Sequence, residues 1–180
     1  TGTLPSAEEV AKFLADERFD KRAKKIDELL ETPAYAAWWT TKLCDFTGNN
    51  DQNLNNVSPM RNSASQDWYT WIYRRVEQNV PYDELASGII SASSMREDQS
   101  YLDYCEEMSS IYRDEDKSYA DLPSMTYYWS RRDFQSDIEA RAIGFAYSFM
   151  GLRIQCAQCH KHPFDQWSKD DFHQFKNFFS

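Results

Sequence analysis

The first third of the chain carries apolar residues at the spacing of amphipathic helices. The run Ser6-Ala7-Glu8-Glu9 has serine followed three residues later by glutamate, which is the capping-box arrangement at a helix start. The apolar stripe after it is Val10, Phe13 and Leu14. A second predicted helix carries Ile26, Leu29 and Leu30 and ends before Pro33, where a third helix with Tyr35, Trp38, Trp39 and Leu43 begins.

The pattern changes between residues 47 and 65, where asparagine-rich sequence predicts a polar loop. Helical spacing returns at Gln66 and again after Pro81, and between residues 96 and 117 apolar residues recur every three positions. The last long helix is predicted from Phe134 to Phe149, and a short one follows, with Ser168 as its cap and Asp171 three residues later. We therefore predict a mostly α fold, a single bundle-like domain over residues 1–180 with long polar loops and a cysteine-containing segment at 151–180.

Composition narrows the classes of function. The 29 acidic and 20 basic side chains give a net charge of -9 without a basic cluster, so nucleic acid is a poor partner. No apolar run approaches the roughly 20 residues of a membrane span. The chain opens without methionine, and we expect it to be a piece of a longer exported protein.

The run Cys156-Ala157-Gln158-Cys159-His160 is the candidate chemistry. Two thiols separated by two residues and followed by histidine have the spacing of covalent haem c attachment. In this interpretation Cys156 and Cys159 form thioethers with the haem, and His160 is the proximal ligand of its iron.

Two other interpretations use the same residues. Cys156, Cys159, His160 and His162 could bind zinc, although zinc sites usually draw on two separated halves of a sequence. The two cysteines could also be a redox dithiol, but the strand context that such motifs usually have is absent from the predicted pattern.

The remaining cysteines, Cys44 and Cys105, are candidates for a disulfide. Haem c attachment takes place outside the cytoplasm, where spare thiols tend to oxidise, so the chain is expected in the periplasm or another extracytoplasmic space. Two unpaired buried cysteines, or Cys105 as a thiolate ligand, are the alternatives.

The distal side of the haem iron decides its chemistry, because a methionine or histidine there makes an electron carrier and an open position permits small-ligand binding. Met125 lies in a predicted loop and is the candidate distal ligand, with His173 as another source. Aromatic and histidine side chains after the motif are the candidates for the haem environment: His162, Phe164, Trp167 and His173.

The chain resembles the planctomycete cytochrome c-like domain family of unknown function. The resemblance rests on the run from Gly151 to Trp167, on Leu4 to Val10, on Ile26 to Leu30 and on Asn79 to Leu85. It implies haem c at the cysteine motif, an exported protein and a second planctomycete-specific domain after this one. Some relatives carry carbohydrate-binding modules, which suggests a link to polysaccharide breakdown.

The leading hypothesis is a c-type haem domain that transfers electrons to or from a partner domain or protein. The first alternative is a haem enzyme or small-ligand sensor with an open distal site. The second is a structural or carbohydrate-binding module in which the cysteines hold zinc or form a disulfide.

Overall fold

The computed structural model describes residues 1–49, 63–114, 116–135 and 137–180, and within them it contains α-helices and no strand. The mostly α prediction is confirmed. The helices are α1 (Ala7–Ala15), α2 (Lys21–Leu30), α3 (Pro33–Thr47), α4 (Ser63–Glu77), α5 (Tyr82–Ser91), α6 (Tyr101–Arg113), α7 (Ile138–Met150) and α8 (Lys169–Lys176). Short 3-10 turns cover Tyr119–Asp121, Arg132–Phe134, Ile154–Gln158 and Asn177–Phe179.

Polar side chains define the helix starts that the sequence predicted. Ser6 Oγ accepts a hydrogen bond from the Glu9 N–H at 3.2 Å, and the Glu9 carboxylate accepts one from the Ser6 N–H at 2.8 Å, so the predicted capping box is confirmed. The same exchange joins Ser168 and Asp171 at the start of α8. Pro33 opens α3, where its missing N–H costs no helical hydrogen bond.

Two predicted boundaries differ from the structure. The last long helix begins at Ile138 and not at Phe134, because the Asp137 side chain caps the Glu139 N–H at 2.8 Å and a separate 3-10 turn precedes it. The predicted polar loop at 47–65 is shorter at both ends, since Thr47 belongs to α3 and α4 begins at Ser63. Its residues 50–62 lie outside the described part of the chain.

Among the residues that the structure describes, two clusters of buried side chains form the core. The first joins α3, α4 and α5 to the segment before α7, and its members are Cys44, Trp68, Trp71, Ile72, Leu85, Ile89, Ala120, Met125, Tyr128 and Phe134. The second is smaller and consists of Ala146, Ile154, Ala157 and Phe172. Helix α7 joins the clusters, because Ala140 and Phe149 pack on the first and Ala146 belongs to the second.

Helices α1 and α2 lie at the surface and bury no residue. Their predicted apolar stripes are largely exposed, with Leu14 at 70% and Ile26 at 49%. None of the helices that the structure describes is long and apolar enough to cross a membrane.

Candidate functional site

The cysteine motif lies on a 3-10 turn that follows a sharp exit from α7. Gly151 ends α7 with a φ of 66°, and the N–H groups of Gly151 and Leu152 both donate to the Ala146 carbonyl. A left-handed residue at this position is the usual end of a helix and favours glycine. The chain then enters the turn Ile154–Gln158, which carries the first cysteine.

The turn separates apolar anchors from reactive side chains. Residues three positions apart eclipse one another in a 3-10 helix, so Ile154 and Ala157 share one face. Cys156 lies within the turn, and Cys159 is the residue that caps its end. Ile154 and Ala157 are buried in the second core cluster, and both cysteines are exposed free thiols. Both thiols are therefore accessible to solvent, while the turn that precedes His160 is anchored in a packed cluster.

The His160 ring is exposed and has a defined tautomer. Its Nδ1 lies 2.6 Å from the carbonyl oxygen of Lys161. A carbonyl can only accept, so this hydrogen bond requires the proton on Nδ1, and in the neutral ring Nε2 then keeps its lone pair. Metal-bound histidines typically have this arrangement, in which one ring nitrogen donates to a backbone carbonyl and the other faces the metal.

The ring of His162 differs from that of His160, because both of its nitrogens form hydrogen bonds with the main chain. Nε2 lies 3.0 Å from the Arg153 carbonyl oxygen, and Nδ1 accepts a hydrogen bond from the Phe164 N–H at 3.3 Å. The predicted zinc alternative requires a lone pair from His162 as well as from His160. In the described residues no group of three or more histidine, cysteine, aspartate or glutamate side chains could hold a metal ion.

The other haem-environment candidates differ in exposure. Phe164 is 94% exposed, with its ring edge toward His162. Trp167 packs against the second core cluster and lines a small apolar cavity together with Ala157 and Phe172. The buried Trp167 Nε1–H has no hydrogen-bond partner in the described residues, so an acceptor at this position would be favourable. His173 lies on α8, with its ring edge against Phe172.

Met125 is a core residue in this structure. It is only 2% exposed in the first cluster, and its N–H donates to the Gly88 carbonyl at 2.8 Å. The cysteine motif packs on the second cluster through Ala157, so Met125 and the segment that carries His160 are supported by different clusters. The role of Met125 as distal ligand gains no support from this placement.

The two remaining cysteines are free thiols, and the predicted disulfide between them is not formed in this structure. Cys44 is 4% exposed, and the Asn49 side chain donates to its sulfur at 3.5 Å. Burial raises the pKa of the Cys44 thiol to about 12. Cys105 is partly buried on α6, where its hydrogen bond with Tyr101 raises the pKa of that phenol.

Main-chain groups complete the site, and sequence reasoning missed them. The carbonyls of Arg153 and Lys161 are hydrogen-bond partners of the rings of His162 and His160. Every residue has a carbonyl, so no side-chain pattern in the sequence indicates which carbonyl will bond a histidine. The left-handed Gly151 at the end of α7 is the one local signal of the turn that starts this segment.

A family model described as PSCyt2, a protein of unknown function (DUF1549), matches residues 1–180. No curated protein matches the chain. No solved structure matches it either.

Proposed function

The chain belongs to the PSCyt2 family, a planctomycete cytochrome-c-associated domain of unknown function, and from this premise we propose that it is a c-type haem domain that transfers electrons. The observation that carries the proposal is that two exposed free thiols and an exposed histidine, whose Nδ1 is held by a backbone carbonyl, follow one another at the end of an anchored turn. The electron donor or acceptor would be a partner domain or protein. An oxidative role in polysaccharide breakdown is the extension that the family resemblance suggests.

The residues present fit haem c. Cys156 and Cys159 would each add their S–H across one vinyl group, which needs no oxidant, and His160 Nε2 would bind the iron. Once bound, the haem would supply one-electron redox chemistry. The protein's own contribution is to anchor the motif through Ile154 and Ala157 and to orient the His160 ring through the Lys161 carbonyl.

An exposed aromatic ring follows the motif. Phe164 is 94% exposed, so its ring is available to pack on a large apolar cofactor. Haem c is attached outside the cytoplasm, so the proposal includes a periplasmic or other extracytoplasmic location.

The test is to express the chain in a host with haem c maturation machinery and to record optical and mass spectra after denaturation. We expect the mass of one haem to remain on the denatured chain and to be lost in the double variant Cys156→Ala, Cys159→Ala. The matched control is Cys44→Ala, Cys105→Ala, which removes two thiols elsewhere and should retain the haem. A colourless wild-type chain with four free thiols would overturn the proposal.

A second candidate function is a haem enzyme or sensor with an open distal face. It is favoured by the burial of Met125 in the first core cluster, away from the cluster that supports the motif. Carbon monoxide added to the reduced haem protein should then shift the Soret band at micromolar concentration. An unchanged spectrum would indicate a sixth ligand from the protein and favour the electron carrier.

A further inference from the structure

His160 and His162 are separated by one residue, yet the structure gives them different tasks. We propose that His162 is a positioning residue that closes the attachment loop and fixes the orientation of the His160 ring. This inference rests on the proposed function, because it assigns His160 as the axial donor and His162 as the residue that aims it.

The first step is the tautomer of His162. The Phe164 N–H can only donate, so Nδ1 of His162 is the acceptor, and the neutral ring must carry its proton on Nε2. That proton points to the Arg153 carbonyl at 3.0 Å. One tautomer therefore satisfies both bonds, and the ring joins the chain before the first cysteine to the chain after His160.

The second step is the peptide unit between Lys161 and His162. Its carbonyl oxygen accepts from His160 Nδ1 at 2.6 Å, and its N–H donates to the Trp167 carbonyl at 2.8 Å. The peptide group is planar, so fixing the N–H also fixes the direction of the carbonyl oxygen. The main chain of residue 162 therefore holds the acceptor that orients His160. The ring of His162 contributes by bonding Arg153 and Phe164, which fixes the loop that carries this peptide group.

The third step is the local secondary structure. Residues 159–168 lie between the 3-10 turn and α8 and have no helical hydrogen-bond ladder of their own. The loop is held by hydrogen bonds of His162 in place of such a ladder. Its ring bonds Arg153 and Phe164, and its main-chain N–H bonds the Trp167 carbonyl. Each bond contributes on the order of 1 kcal/mol, which is enough to bias a loop but small beside the stability of the whole domain.

The test compares His162→Phe, which keeps a ring but loses both bonds, with His162→Gln, whose amide can still donate toward Arg153. Tyr112→Phe is the matched control, because it also replaces a polar ring by phenylalanine but lies 83% exposed on α6, outside the loop and the proposed haem site. In the haem-loaded protein we expect His162→Phe to keep both thioethers but to broaden or shift the ring-proton NMR signals of the axial histidine and to change the reduction potential. His162→Gln should restore part of the wild-type ring-proton signals and of the wild-type potential, and Tyr112→Phe should change neither quantity. Unchanged axial-histidine signals and potential in a folded His162→Phe protein would overturn the inference.

A second measurement uses the haem-free chain, so that a failure of the proposed function is distinguishable. In nitrogen-15-labelled wild-type protein, long-range proton–nitrogen spectra should show the proton on Nε2 of His162 and on Nδ1 of His160. His162→Phe should convert His160 to a mixture of tautomers. The opposite tautomer at His162 in the wild type would overturn the inference even if haem is attached. If wild-type protein takes up no haem, the proposed function fails, and these spectra still decide whether His162 orients His160.

Discussion

Replacement of Phe172 by alanine tests whether the second core cluster supports the cysteine motif. Phe172 is 2% exposed and shares that cluster with Ala146, Ile154 and Ala157. Truncating a buried phenylalanine to alanine costs about 3–5 kcal/mol through lost burial and the cavity left behind. The loss of unfolding free energy for Phe172→Ala should lie in this range, because the cluster has few members that could move to fill the cavity.

The effect should be visible both globally and at the motif. Urea unfolding should show a free energy of unfolding lowered by about 3–5 kcal/mol, out of a typical total of about 5–15 kcal/mol. Because Ile154 and Ala157 lose their main packing partner, amide exchange across the 3-10 turn should accelerate more than exchange in α4. Phe178→Ala is the matched control, since Phe178 is 83% exposed and its truncation should change stability by less than about 0.5 kcal/mol.

Two results would refute this reasoning. A loss below about 1 kcal/mol would be too small for a packed aromatic side chain and would mean that the second cluster is not a formed core. A loss of about 3–5 kcal/mol would also refute it if amide exchange in the 3-10 turn accelerated no more than exchange in α4. The motif would then be supported by residues outside the second cluster.

Three further predictions concern the rest of the fold. Ser168→Ala should lower the free energy of unfolding by about 1 kcal/mol in urea titrations, because α8 loses its cap, whereas Ser180→Ala should have no effect. Gly144→Ala should lower the thermal midpoint despite the better helix propensity of alanine, because the new Cβ would lie 2.5 Å from the buried Phe134 ring, a crowding that costs about 1–3 kcal/mol; an unchanged midpoint would contradict it. Burial raises the pKa of Cys44 and of Tyr128 to about 12, so both are protonated in the folded state while their unfolded counterparts ionise. Stability should therefore be fully present at neutral pH and fall as the pH rises above about 9, measured by urea unfolding at several pH values; a stability that is flat from pH 8 to 11 would contradict this.

Local features of the fold were predictable where one side chain determines the backbone. Ser6, Pro33 and Ser168 mark helix starts through capping or a fixed φ, and the structure places a helix start at each. The start of α7 was predicted too early, because apolar spacing continues back to Phe134 while the actual cap is Asp137. Spacing alone does not distinguish a helix from a short turn leading into it.

Tertiary assignments were harder to predict, as Met125 illustrates. A methionine in a loop before the cysteine motif has the same sequence appearance whether it fills a core or binds a metal. Its burial depends on Gly88 and on side chains from α4 and α5, which are distant in sequence. The exposed stripes of α1 and α2 make the same point, since an amphipathic pattern predicts a helix but not what covers it.

The difference between His160 and His162 also bears on the choice between haem and zinc, which spacing alone left open. A zinc ion in a structural site takes four donors from the protein, and that would require the lone pairs of both histidines. Here the Phe164 N–H occupies the lone pair of His162, so the motif offers two thiols and a single imidazole nitrogen. Porphyrin brings its own four nitrogens and needs from the protein only one axial donor and two thioether sulfurs. This donor set is the reason why the proposed function prefers haem to zinc, and the hydrogen bond from the Phe164 N–H to His162 is the contact on which that preference rests.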